Sequence, residues 1–164
     1  NHQGKLDAFA VIAAHETPCT AVMDEAKSHI IFINEIIELM RGKRLELNNP
    51  RKAVGVIKAI TDEVAAGRRY ILFPESVYTK EKKNTFIDFK AGCFKIAVNS
   101  KMPIVPVVLV DTYKAFNSWQ LTPVTAQVHF LPPIYYEEFK DLKTVQIAAL
   151  VQERIQQKLD ELLP

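Results

Sequence analysis

The opening residues Asn1-His2-Gln3-Gly4-Lys5-Leu6-Asp7 set an imidazole and a carboxylate either side of four intervening residues. An imidazole titrates near pH 6.5, so in its neutral form it can take a proton from an alcohol at physiological pH. A carboxylate held against the other ring nitrogen fixes the tautomer and stabilises the imidazolium that forms. Five steps of roughly 100° would put His2 and Asp7 on different faces of a regular helix. A turn through Gly4 folds one side chain back on the other, with Asp7 expected as the N-cap of the helix behind it. On those residues alone, a helix cap beside a solvated histidine is the alternative reading.

The elements that must position the pair alternate along the chain. Helix is expected over 7–15, and a short buried strand over 19–23. A helix follows over 25–40, with Ile30, Ile33, Ile37 and Met40 in one stripe, then a strand over 43–47. Asn49, Pro50 and Gly67 mark the start and stop of the next helix. Tyr70–Phe73 reads as a buried strand ended by Pro74. Residues 90–100 read as helix, 104–110 as an apolar strand interrupted by Pro106, and 124–131 as a half-buried strand stopped by Pro132-Pro133. Residues 143–162 form a last helix with Ile147, Leu150, Val151, Ile155, Leu159 and Leu162 on the face that covers the sheet. Strands alternating with helices predict one α/β layered domain over 1–164, with a largely parallel mixed sheet flanked by helices. In such sheets ligands sit beyond the carboxyl ends of the strands, which puts Pro74-Glu75-Ser76 at the edge of the site.

Composition narrows the function. A net charge of +2 over 164 residues is no electrostatic footprint for nucleic acid. Cys19 and Cys93 have no metal-ligand spacing and read as reduced, buried thiols; no metal site is expected. No apolar run reaches the length of a transmembrane helix and no signal peptide is visible. Because the chain begins with Asn, it reads as a fragment lacking its N-terminal segment. His15 and His29 read as surface or packing residues and His129 as exposed. Trp119, with Tyr113 and Phe116, reads as core or as an interfacial anchor.

Four blocks in order carry a resemblance: NHQGKLD at 1–7, Gly42-Lys43-Arg44-Leu45-Glu46-Leu47, Phe73-Pro74-Glu75-Ser76, and Ile104-Val105-Pro106-Val107-Val108. Asn48-Asn49 before Lys52-Ala53, the run Phe89-Lys90-Ala91-Gly92, and Leu131-Pro132-Pro133-Ile134 extend it over nearly the whole chain. Together they resemble the glycerolipid acyltransferase family, with its HX4D block. The resemblance implies the glycerol-3-phosphate acyltransferase-like fold and transfer of a fatty acyl group from acyl-CoA or acyl-ACP to the hydroxyl of a lysophospholipid. The implied acceptor is 1-acylglycerol-3-phosphate, the implied place the cytoplasmic face of a membrane. It implies direct attack with no acyl-enzyme and no cofactor, and no Ser here sits in a G-x-S-x-G elbow. His2 is then the base and Asp7 its orienter. Glu75 holds the acceptor or orders the loop, with Phe73, Pro74 and Ser76 around it, and Lys43 and Arg44 supply charge for the acceptor.

Two departures bear on the acceptor. Ser76-Val77-Tyr78 stands where the family has Gly-Thr-Arg, and Glu46-Leu47 where it often has Asp-Arg. Neither Leu nor Tyr can grip a phosphate as a guanidinium does. Lys43, Arg44, Arg51, Lys80, Lys82, Lys83 and Lys90 are the cations that could compensate. The alternatives are a different lysolipid or amino-lipid acceptor, an inactive lipid-binding relative, or a hydrolase that activates water through His2 and Asp7.

Overall fold

The computed structural model describes residues 1–29, 31–46, 49–76, 83–116 and 123–163. Ile30, Leu47, Asn48, Val77, Tyr78, Lys80, Lys82 and Trp119, all used in the reading above, lie outside the described residues.

Helix α1, Asp7–Ala14, leads into strand β1, Thr20–Asp24. A 3-10 turn, Glu25–Lys27, and helix α2, Ile33–Leu39, follow, then β2, Lys43–Leu45. Helix α3, Pro50–Ala65, precedes β3, Tyr70–Ile71. A 3-10 turn, Ala91–Phe94, runs into α4, Lys95–Ser100, and then β4, Val107–Val110. A further 3-10 turn, Thr112–Phe116, is followed by β5, Gln127–Phe130, then α5, Tyr136–Phe139, and α6, Thr144–Leu162.

Strands β2, β1 and β3 form a parallel sheet in that order, and β4 and β5 pair antiparallel. This is the mixed α/β layering expected, with helices covering the strands. The apolar stripe of α6 works as its spacing implies. Ile147, Ala148, Val151, Ile155 and Leu159 are buried in a core with Phe89, Phe94, Val108 and Ile134. Burial of each large aliphatic side chain there contributes about 1.5–3 kcal/mol.

Several boundaries differ from expectation for local reasons. The helix expected over 25–40 breaks in two. Asp24 caps the 3-10 turn through the amide of Ala26 at 3.2 Å, and the Ser28 hydroxyl donates to the Glu25 carbonyl at 2.8 Å. Phe32 then takes a left-handed φ of 71°, so α2 starts afresh at Ile33. Side chain to backbone bonds of this kind compete directly with the helical ladder. Strand β4 begins only after Pro106, which has no N–H to give a ladder. Ile104 instead makes an isolated antiparallel bridge with Ile134. The punctuation of α3 holds: Asn49 accepts from the amide of Lys52 at 3.3 Å, and Gly67 turns the chain with φ 94°. The short α5 was not expected from the sequence; it buries Phe139.

Candidate active site

The loop before α1 holds the imidazole and carboxylate together. His2 Nδ1 lies 2.6 Å from Asp7 Oδ2, the His2 side chain 18% exposed and the Asp7 side chain fully buried. Asp7 does not cap α1 as expected, because Leu6 occupies the N-cap and Asp7 is the first helical residue. Its carboxylate instead turns back into the loop, where Oδ2 also accepts the amides of Gln3 at 2.5 Å and Gly4 at 2.9 Å. The position still suits an anion, since the N-terminus of a helix carries partial positive charge.

Electrostatics follow from this packing. Burial is the largest influence on Asp7 and pushes its pKa up. Hydrogen bonding, from His2 and from the Gly4 and Gln3 amides, outweighs it and holds the carboxyl below its ordinary range. Asp7 is therefore ionised at neutral pH and can only accept hydrogen bonds. The nitrogen facing it, Nδ1, must carry the proton, which makes Nε2 the basic nitrogen of the neutral ring.

Glu75 ties this loop to the end of β3. Phe73, Pro74, Glu75 and Ser76 form a tight turn closed by the Ser76 amide on the Phe73 carbonyl at 3.0 Å. Glu75, buried, accepts the His2 amide on Oε1 at 2.6 Å and the Ile87 amide on Oε2 at 2.8 Å. Burial pushes its carboxyl pKa up, and the two amides oppose that rise. Phe73 stacks on the imidazole with centroids 4.1 Å apart and planes 24° from parallel. Ser76 holds a left-handed φ of 63°, a conformation that favours glycine and accounts for the glycine of the block it resembles.

The structure thus brings His2, Asp7, Phe73, Pro74, Glu75 and Ser76 together. Lys43 and Arg44 lie two strands away, on β2. Register pairs Lys43 with Val22 and Arg44 with Met23, and β1 separates β2 from β3. Two strand spacings amount to roughly 9–10 Å. Their charges are also engaged. Lys43 Nζ meets Glu63 Oε1 at 2.5 Å, while Arg44 contacts Ser28 at 3.0 Å, Glu38 at 2.6 Å and Asn34 at 3.0 Å. Glu63, bonded by Lys43, Tyr70 and Arg68, is held down at a pKa of about 2. This cluster joins β2, α3 and β3 and is structural.

Two residues of the site went unrecognised in the sequence. The Asn1 side chain donates to the Leu109 carbonyl at 2.9 Å and accepts the Leu109 amide at 2.8 Å, pairing with β4 as a strand would. Buried Gln3 donates to the Leu109 carbonyl at 2.6 Å and accepts the Thr112 hydroxyl at 2.9 Å. Neither has periodicity to betray it; only its place beside His2 could have flagged it.

A cavity of about 430 Å³ adjoins the site, between β3 and β4. Asn1, Phe73 and Pro74 line it, with apolar side chains such as Ala97, Ile104 and Val151 making up most of the wall and Arg68 and Arg69 also reaching it. Its size is that of small-molecule sites generally. Both thiols, Cys19 and Cys93, also line it and are half-buried rather than buried. His15 lines it too, edge-on to Phe130 at 5.4 Å. His29 is exposed against Glu25, and His129 is half-buried beside Gln127.

A parallel sheet flanked by helices, with a histidine–aspartate loop at the carboxyl end of a strand, is the arrangement of an acyltransferase, and the model of that family matches residues 1–110. The chain belongs to the acyltransferase family. It is 27% identical over 163 residues to the 1-acyl-sn-glycerol-3-phosphate acyltransferase of Salmonella typhimurium, with 99% of this chain and 66% of that relative covered. To the enzyme of that name from Cocos nucifera it is 28% identical over 149 residues, covering 87% of this chain and 47% of the relative. For the Saccharomyces cerevisiae enzyme the identity is 26% over 170 residues, with coverages of 99% and 54%. The crystal structure of the 1-acyl-sn-glycerophosphate (LPA) acyltransferase PlsC from Thermotoga maritima superposes with a TM-score of 0.77 at 23% identity, covering 99% of this chain and 64% of that one. That likeness shows the fold. The chain spans 66% or less of the length of each of these relatives.

Proposed function

We propose that this protein transfers a fatty acyl group from an acyl-CoA or acyl-ACP thioester to the free hydroxyl of 1-acylglycerol-3-phosphate, giving phosphatidic acid. The observation that carries this reading is the 2.6 Å bond between His2 Nδ1 and a buried, ionised Asp7, in a chain of the acyltransferase family. The relatives are 1-acyl-sn-glycerol-3-phosphate acyltransferases, which supports this choice of acceptor.

In this reaction His2 Nε2 removes the acceptor's hydroxyl proton as the oxygen attacks the thioester carbonyl. Asp7 steadies the imidazolium. The carbon–sulfur bond then breaks, and His2 returns the proton to the departing thiolate, leaving a new ester and a thiol. The atoms balance without a further reactant. General base catalysis contributes about 10²–10⁴-fold, with positioning supplying more. The apolar cavity beside Phe73 and Pro74 suits the donor's acyl chain. The work is done at the cytoplasmic face of a membrane, where the acceptor resides; no helix among the described residues is long and apolar enough to cross one.

The test uses purified protein, labelled acyl-CoA and acyl-ACP, and vesicles containing 1-acylglycerol-3-phosphate. Labelled phosphatidic acid is expected, with His2→Ala lowering kcat/KM by at least about 10². Undiminished turnover by His2→Ala would reject the base, and thioester loss at equal rates with and without acceptor would mark a hydrolase. One observation favours a second acceptor class. Lys43 and Arg44 are engaged by Glu63 and Glu38, and Leu47 and Tyr78 stand where the resembled family has arginines. A lysolipid without a phosphomonoester, or an amino-lipid, then replaces 1-acylglycerol-3-phosphate, and faster transfer to one of these in an acceptor panel would establish it.

A further inference from the structure

Asn84 lies far from His2 in sequence, yet it touches both segments that hold the catalytic loop. Its Oδ1 accepts the Gln3 side-chain amide at 3.0 Å and the Asp111 backbone amide at 2.8 Å, while its Nδ2 donates to Asp111 Oδ1 at 3.1 Å. Asp111 ends β4 in a left-handed turn with φ 63°, and its other oxygen takes Lys114 Nζ at 2.7 Å. Three residues beyond Asn84, the Ile87 amide is held by the same Glu75 that holds the His2 amide. Segment 84–87 therefore braces the loop of His2 twice: by Asn84 through Gln3, and by Ile87 through Glu75. Gln3 is 2% exposed and sits between His2 and Gly4, and its side chain is held by Asn84 together with the Leu109 carbonyl and the Thr112 hydroxyl, which ties the backbone beside the imidazole to this network.

We propose that Asn84 is a positioning residue, which, by fixing Gln3 against Asp111, keeps the His2 imidazole in line with Asp7. The proposal rests on the reading of His2 as the base. It goes beyond that reading in assigning the orientation of the ring to a residue outside every block the family resemblance identified.

The donor and acceptor pattern supplies the test. In Asn84→Asp, a carboxylate oxygen replaces Nδ2 and faces Asp111 Oδ1, so two like charges meet and the brace opens. In the double variant Asn84→Asp with Asp111→Asn, the amide and carboxylate exchange sides and every bond of the brace can form again; Asn also tolerates the left-handed turn. Asn84→Asp is expected to lower kcat by about tenfold or more with the KM for donor within about twofold, because misplacement of this order near a reacting group costs up to about 10²-fold. The double variant should return kcat to within a few-fold of the parent. A long-range proton–nitrogen NMR spectrum of the His2 ring gives a readout without turnover. The parent shows the proton on Nδ1, Asn84→Asp shows a mixture of tautomers, and the double variant returns to Nδ1.

An unchanged His2 spectrum in Asn84→Asp, or loss that the exchange does not repair, overturns the proposal. Should Asn84→Asp fail to fold, Asn84→Ser, which removes the amide without adding charge, carries the same two measurements. A ring that responds to Asn84 in a protein that transfers no acyl group to any acceptor would support the positioning role and reject the proposed function, so the two failures are separable.

Discussion

Asp7 concentrates more stabilising contacts than any other charged side chain in the loop, and its chemistry has a sign. Its folded pKa lies below the ordinary carboxylate value of about 3.9. The stability it contributes is therefore fully present above that value and is lost as pH falls through the folded pKa. Asp7→Asn should remove this acid-sensitive contribution. Urea unfolding measured from pH 6 down to pH 3 is expected to show a flatter pH dependence in the variant than in the parent. Glu75 has the opposite sign, because burial raises its pKa. Ser76 makes a second residue-scale case. Its left-handed φ of 63° costs a non-glycine residue about 1–2 kcal/mol. Ser76→Gly should stabilise the protein by about 0.5–1 kcal/mol after the added freedom of the unfolded chain is deducted, read as a higher urea midpoint at constant m-value. His2, Asp7 and Glu75 were legible because each sits in a block whose residue types are its own signal. Asn1, Gln3 and Asn84 were not, since their bonds reach across more than eighty residues. The ion pairs of Lys43 and Arg44 were not legible either, because their partners lie on other elements.

Among the elements, α1, α3 and α6 matched expectation to within a residue or two; the Asn49 cap fixes α3 and a long apolar stripe fixes α6, whereas α1 formed without the cap expected of Asp7. The helix expected over 25–40 did not match. Its second half carries the periodic residues Ile33 and Ile37 correctly, but the first half, opened by the Asp24 cap, closes after one turn where Ser28 bonds back to the Glu25 carbonyl. The junction of α2 with the sheet is tight. A Cβ at Gly42 would lie 2.9 Å from the Ala21 carbonyl oxygen and 3.2 Å from Ile37 Cγ2. The first is backbone of β1 and cannot swing away. Gly42→Ala should therefore destabilise the fold by about 1–3 kcal/mol. Thermal unfolding checks this, and a melting temperature equal to the parent's would contradict the packing described.

At the scale of the whole molecule, residues of β3 and β4 both line the cavity, which the proposed site adjoins through Asn1, Phe73 and Pro74. Nothing in the strand patterns foretells that β4 and β5 pair apart from the parallel sheet. Ala97 on α4 lines the cavity. Ala97→Leu should shorten the preferred donor chain by a few carbons, with kcat/KM for long-chain donors falling more than for short ones across an acyl-CoA series. A methylene in an apolar pocket is worth about 1–3 kcal/mol of discrimination. Equal losses at all chain lengths would place the acyl chain elsewhere.

The amides of residues 2, 3 and 4 have one further consequence. The first is bound by Glu75, the other two by Asp7. None of these three consecutive main-chain donors is therefore free for an oxyanion on the thioester carbonyl of the proposed reaction. In the proposed reaction, catalysis then leans on proton removal and on an electrophile that is reactive before it binds. An oxygen ester of the same fatty acid, with its less electrophilic carbonyl, should be a far poorer donor than the thioester.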